Sequence, residues 1–163
     1  MADLFFPVDA RVVEWPGPRG DNYHYGTDFA ANRGDPVYAS FDGVVVFAGG
    51  DGAFGELYPG SGIWANGQGL TVDIQRADGL ISRVGHMSHI SVRVGQRVTA
   101  RKTVLGGAGD TGFSLGVHCH WELRWDRAWS GGAWVDPRKL NAQPLEDEVD
   151  AAQEERIAKK AGK

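Results

Sequence analysis

The chain has 163 residues, 42% of them hydrophobic, and a formal net charge of −4. That length suits one domain with a real core, and the acidic balance leaves no basic face for the phosphate-driven binding of nucleic-acid proteins. A single cysteine, Cys119, excludes an internal disulfide, and no apolar run approaches the roughly 20 residues of a membrane span.

The N-terminus, Met1-Ala2-Asp3-Leu4-Phe5-Phe6-Pro7, has no basic start and no long apolar run, so it does not read as a secretory signal. The expectation is synthesis in the cytoplasm, with release to any outside target left to another agent. Glycine is abundant, at 24 residues without a collagen period. That pattern predicts many tight turns between short strands. Val44-Val45-Val46-Phe47, fenced by Asp42-Gly43 and Gly49-Gly50, predicts a buried strand. Residues 51–69 mix glycine with Phe54, Tyr58 and Trp64 and predict a long loop, of the kind that is functional or plain surface. Leu70-Thr71-Val72-Asp73-Ile74-Gln75 alternates strictly, which predicts a strand with one buried and one wet face. Asp78-Gly79 and the run 80–84 complete a hairpin. Shorter β segments are predicted at 92–95 and 97–98, and the clearest strand at 117–125. No segment before residue 140 has a helical period. Residues 1–140 are therefore predicted to form one β-rich domain. Residues 141–163 form a charged tail, linker or terminal helix, with acidic residues first and basic residues last.

Two short motifs carry the chemistry. One is His24-Tyr25-Gly26-Thr27-Asp28, the other His118-Cys119-His120-Trp121-Glu122. Hydrolytic zinc sites use three protein ligands and leave a fourth position for water. Two of these histidines and the aspartate would supply that set, with one histidine left for proton transfer. On a strand over 117–125, His118, His120, Glu122 and Arg124 share one face, and Val117, Cys119, Trp121, Leu123 and Trp125 share the other, toward the core. Histidines two apart on a strand lie roughly 6.5–7 Å apart at their backbones, so both can reach one small site. Cys119 reads as a small core hydrophobe. Pro16, Gly17, Pro18 and Gly20 before His24, and Gly26 after it, argue for a loop or irregular strand end there. His86 stands at another strand end.

In order, the chain also carries Gly34-Asp35-Pro36-Val37, Asp42-Gly43-Val44-Val45, Gly69-Leu70-Thr71-Val72 and Gly85-His86-Met87-Ser88, and then Gly109-Asp110-Thr111-Gly112-Phe113-Ser114-Leu115-Gly116-Val117-His118-Cys119-His120. With the first motif, this series resembles the lysostaphin-type, LytM-like zinc metallopeptidases, over about residues 22–125. The resemblance implies a mostly β fold: antiparallel sheets forming a groove across which one zinc ion sits. It implies His24, Asp28 and His120 as the zinc ligands and His86 and His118 as the catalytic pair. The implied activity is an endopeptidase, monomeric, acting on the peptides of bacterial peptidoglycan, with no nucleic-acid or membrane partner. With the N-terminal reading, it suggests a phage endolysin or its catalytic module, made in the host cytoplasm and released by a holin or by lysis. Tyr25, Phe54, Tyr58 and Trp64 are the candidate substrate-groove residues, aromatics that offer broad contact to a peptide or sugar chain.

Glu122 reads either as a group that orients a ligand from behind or as an exposed strand carboxylate. His89 has no counterpart in the motifs and reads as a surface residue. Cys119, Met87 and Val117 depart from the usual residues at their positions. Pro18 stands near where some members of the family place a tyrosine. Two other classes compete: a degenerate member that only binds the wall or activates another hydrolase, and a β module stabilised by zinc without catalysis. The first loses ligands, whereas this chain has all three. The second tends to be closed by four Cys or His ligands, whereas this chain has one cysteine.

Overall fold

The computed structural model describes residues 3–51, 67–112, 114, 116–127 and 132–145. In chain order the strands are β1 (Val12–Glu14), β2 (Gly17–Arg19), β3 (Asn22–His24), β4 (Thr27–Phe29), β5 (Pro36–Tyr38), β6 (Gly43–Asp51), β7 (Gly69–Gln75), β8 (Ile81–Met87), β9 (His89–Ile90), β10 (Arg97–Val98), β11 (Val104–Gly107), β12 (Cys119–Arg124) and β13 (Trp134–Val135). Strands β1-β4-β12-β8-β7-β6-β10 lie side by side in one sheet, and β13 also pairs with β12. A second sheet runs β5-β11-β9, and β2-β3 is a separate hairpin. All of these pairings are antiparallel. The architecture is the mostly β, antiparallel one that the sequence pattern and the resemblance imply. Among the described residues the one helical piece is a 3-10 turn at Pro137–Leu140. Asn141–Gln143 then return to the N-terminal segment, where Gln143 and Phe6 exchange backbone contacts with Leu4 and Gln143 at 2.9 and 2.8 Å.

The valine run of 44–47 lies within β6, and the alternating run 70–75 lies in β7. The Asp78-Gly79 hairpin forms between β7 and β8, with Gly79 at φ 100, a conformation that glycine takes without strain. Val45, Val72, Ile74, Val84, Phe29, Trp121 and Leu123 from the large sheet pack with Phe41, Val37 and Leu105 into one core. The Trp121 indole N–H donates to Ser82 Oγ at 2.8 Å, so the largest core side chain leaves no polar atom unsatisfied.

Three expectations are corrected. The face of β7 expected to be wet is covered: Thr71 and Asp73 are both buried. Asp73 tolerates this because Arg83 Nε and Nη2 donate to its two oxygens at 2.9 and 3.1 Å, and Arg127 Nε donates at 3.1 Å. The segment 92–95 forms no strand. Gly95 at φ 92 turns the chain there, and Gln96 N–H closes on the Arg93 carbonyl at 3.1 Å. The ladder is made instead by His89–Ile90 against β11. The strand expected over 117–125 is Cys119–Arg124, and Trp125 is 47% exposed where a core position was expected. Past Arg124 the chain leaves the β8 ladder, so the alternation no longer dictates which way a side chain points. Glu122 and Arg124, on the face shared with His120, are both buried.

Because Asp73 carries two guanidinium contacts in the interior, Asp73→Ala is expected to destabilise the fold by about 3–5 kcal/mol, the cost of stripping one partner from a buried ion pair. Urea denaturation measures it, and a loss within the error of the wild type would mean the pair is replaceable by water.

Candidate metal centre

Strand register assembles the site. Asp28 on β4 is directly opposite His120 on β12, and His120 is opposite Gly85 on β8, one residue before His86. His24 ends β3, and the chain returns through Gly26 to β4. A Cβ on Gly26 would lie 2.6 Å from the His120 ring and 2.8 Å from the Trp121 carbonyl, so this turn runs against the ligand as only glycine permits. His86 adopts φ 54, in the left-handed region that non-glycine residues rarely visit. Backbone strain of this kind is held in place by surrounding structure and concentrates at functional sites.

The side chains converge on Asp28. Its Oδ1 is 2.8 Å from His120 Nδ1. Its Oδ2 is 3.3 Å from His24 Nε2, outside hydrogen-bonding geometry. One donor atom from each of the three residues lies within 4.8 Å of the others. His24 Nε2 is buried without a hydrogen-bond partner, a costly state for a polar atom. That orphan lone pair, aimed at a carboxylate and a second imidazole, fits a cation bound among the three. Two imidazoles and one carboxylate suit zinc in a site that keeps a fourth position open.

His86 and His118 flank this set. Their ring centroids are 5.0 Å apart, and those of His86 and His120 are 5.7 Å apart. His86 Nδ1 is 2.6 Å from the Thr111 carbonyl, and His118 Nδ1 is 2.9 Å from the Gly116 carbonyl. A carbonyl only accepts, so both Nδ1 atoms carry the proton and both Nε2 atoms are left bare when the rings are neutral. His118 Nε2 lies 3.7 Å from Asp28 Oδ1. The centre opens into a cavity of about 650 Å³ whose lining includes Val13, Arg19, Phe29 and Ser114.

Electrostatics separate the groups. Burial, then the neighbouring His120 charge, lowers the His86 pKa to about 4, so this ring is neutral near pH 7. Burial would lower His120 too, but its hydrogen bonds with Asp28 and Glu122 dominate and raise it to about 9. Burial opposes ionisation of Asp28, yet the two imidazoles hold it well below the ordinary carboxylate range. Cys119 is fully buried and its thiol is pushed up by burial, the inert core residue expected of it.

Glu122 resolves in favour of the supporting role. Its Oε2 lies 2.7 Å from His120 Nε2, the nitrogen facing away from Asp28. Gln68 Nε2 donates to the same oxygen at 2.6 Å, and Arg124 Nε donates to Oε1 at 2.6 Å. Carboxylates behind metal-binding imidazoles fix the ring and raise its basicity. Glu122→Gln is therefore expected to weaken zinc binding by roughly 10–100-fold, read by chelator competition; unaltered affinity would return Glu122 to a packing role.

The five histidines divide as the motifs suggest. His24, His86, His118 and His120 gather with Asp28, and His89 is exposed, its Nδ1 3.1 Å from Ser88 Oγ. Tyr25 packs against Tyr23 and Trp134, with ring centroids 5.1 and 5.8 Å away. Phe54, Tyr58 and Trp64 lie outside the described residues. Gln68 and Arg124 were not singled out from the sequence. Arg124 could have been, because it shares its strand face with His120 and Glu122; Gln68 gives no local signal.

An antiparallel β domain with a histidine–aspartate–histidine donor set and two further imidazoles beside it belongs, in class, with the zinc hydrolases. More narrowly, the chain belongs to Peptidase family M23, which residues 22–137 match. It is 35% identical over 126 residues to the glycyl-glycine endopeptidase ALE-1 of Staphylococcus capitis, covering 75% of this chain and 30% of that protein. The chain thus spans under a third of that relative's length. Its fold resembles the crystallised catalytic domain of the prophage-encoded M23 protein EnpA from Enterococcus faecalis, with a TM-score of 0.64, 30% identity, and coverage of 79% of this chain and 89% of that one. It also resembles a zinc-containing peptidase from Vibrio cholerae, with a TM-score of 0.63, 26% identity, and coverage of 83% and 39%.

Proposed function

We propose that this domain is a zinc-dependent endopeptidase that hydrolyses peptide bonds of bacterial peptidoglycan. The observation that carries this reading is the convergence of His24, Asp28 and His120 with two imidazoles whose Nε2 atoms are free for proton transfer. The likeness to a glycyl-glycine endopeptidase and, at 39% identity over 117 residues, to the peptidoglycan DD-endopeptidase ShyA of Vibrio cholerae supports the substrate class. The likeness to a prophage-encoded protein supports a role in phage-induced lysis, with synthesis in the host cytoplasm and release to the wall through a holin or on lysis.

His24, Asp28 and His120 would hold the zinc. When bound, the ion supplies a water whose pKa falls to about 7 and a Lewis acid for the scissile carbonyl. His118 would accept the water's proton at Nε2, because its Nδ1 is tied to the Gly116 carbonyl, and would return it to the leaving amine nitrogen. His86, neutral and fixed by the Thr111 carbonyl, would offer the bare lone pair of its Nε2 as a second proton acceptor beside the metal set.

The test is digestion of purified walls with glycine cross-bridges and of walls with direct stem cross-links, with zinc-loaded and chelated protein, followed by mass analysis of the fragments. New peptide termini that require zinc are the expected result, and the fragment masses identify the bond. Intact peptides in every wall type with fully loaded protein would sink the reading. The alternative, a wall-binding module that activates other hydrolases, would give that result together with retention on the insoluble wall.

A further inference from the structure

The imidazole of His24 has a carboxylate behind it as well. Its Nδ1, the nitrogen turned from Asp28, lies 3.4 Å from Glu14 Oε2 and 3.4 Å from the Trp15 carbonyl. Arg19 closes this group. Its Nε donates to Glu14 Oε2 at 3.1 Å and its Nη2 to Glu14 Oε1 at 2.6 Å. The same Nη2 lies 3.4 Å from Asp28 Oδ2. Strand register produces the contact: Glu14 is the Cα partner of Asp28 across β1 and β4, and Gly17 on β2 is the partner of His24 on β3.

This outer arm, Arg19–Glu14–His24, has the same residue types as the inner arm, Arg124–Glu122–His120, with a longer approach of carboxylate to imidazole, 3.4 against 2.7 Å. The two differ in exposure. The side chains of Arg19 and Glu14 are 53% and 36% exposed, against 1% and 5% for Arg124 and Glu122.

We propose that Glu14 and Arg19 are positioning residues of the metal centre. The Trp15 carbonyl accepts from His24 Nδ1, and the Glu14 carboxylate 3.4 Å from the same nitrogen holds the proton there by its charge, so that the Nε2 lone pair turns toward Asp28. Arg19 grips both Glu14 oxygens with its planar fork and steadies the outer oxygen of Asp28, a geometry that lysine cannot reproduce. Because the outer arm meets solvent, salt screens it, whereas the buried inner arm is little affected. This inference rests on the reading that His24 and Asp28 hold zinc.

The experiment measures zinc affinity by competition with a chromophoric chelator, at low and high salt, alongside the melting temperature of the zinc-free protein. Glu14→Ala is expected to lose roughly 10–100-fold in affinity with an unchanged zinc-free melting temperature. Glu14→Gln, which keeps the shape, is expected to lose affinity in the same direction, and covers the case in which the alanine variant does not fold. Arg19→Ala is expected to lose less, and Arg19→Lys not to restore it. The wild type should weaken with added salt more steeply than Glu14→Gln. Wild-type affinity in Glu14→Gln overturns the proposal, as does full rescue by Arg19→Lys. If the wild type itself takes up no zinc, the functional reading fails instead, so the two failures are distinguishable.

Discussion

Asp28→Ala is expected to empty the metal centre. Asp28 is the residue on which both ligand imidazoles converge, with His120 Nδ1 at 2.8 Å and His24 Nε2 at 3.3 Å. Three ligands leave no redundancy, so the loss of zinc affinity should exceed the roughly 10–100-fold that follows removal of an outer partner. Wall cleavage should fall with it. Two readouts check this besides activity. Elemental analysis of the purified variant should show little zinc. Added zinc should raise the melting temperature of the wild type and not of the variant, because a ligand present at about 100 times its Kd stabilises the native state by about 2.7 kcal/mol. Full zinc retention in Asp28→Ala would remove it from the ligand set. The variant also leaves His24 and His120 without their shared carboxylate, so the zinc-free melting temperature of both proteins belongs in the comparison.

His118→Ala and His86→Ala are expected to retain zinc and lose roughly 10²–10⁴-fold in turnover, the range of general acid–base groups. The geometry separates them from the ligands: their Nδ1 atoms are spent on the Gly116 and Thr111 carbonyls, and their Nε2 atoms stand beside the metal set. Steady-state kinetics on a soluble cross-linked muropeptide measures kcat and KM, and the loss should fall on kcat. His89→Ala should behave as the wild type, since the His89 side chain is exposed and its Nδ1 lies against Ser88 Oγ at 3.1 Å. Equal damage in His89→Ala and His86→Ala would reverse the choice between them. Loss of zinc from His118→Ala would instead make His118 a ligand.

Much of this site was legible in the sequence for local reasons. Alternation on β12 places His120 and Glu122 on one face and Cys119, Trp121 and Leu123 in the core, and strand geometry requires no more than the sequence to say so. The glycines and prolines around His24 rule out a helix, and the chain there is two short strands joined through Gly26. The hairpin of β7 and β8 follows from Asp78-Gly79 between two apolar runs. The residue types of the motifs narrowed the candidates to one aspartate and three histidines, and the family resemblance singled out His24, Asp28 and His120 among them.

Tertiary structure decided what lies behind those residues. Strict alternation in 70–75 shows a strand but cannot show whether its polar face meets water, because that depends on which remote groups cover it; Arg83 and Arg127 do so for Asp73. Glu122 was open between solvent and support for the same reason, and Gln68 and Arg124 close it off. Glu14 and Arg19 carry no motif of their own and reach His24 only through the register of β1 with β4 and of β2 with β3. The sequence by itself determined the strands that become β6, β7, β8 and β12 and the residue types that meet at the site, since these rest on side-chain type and period-two alternation. The pairing of distant strands alone determined which carboxylates and guanidiniums hold the ligands in place, because those contacts follow from register between segments that share no local pattern.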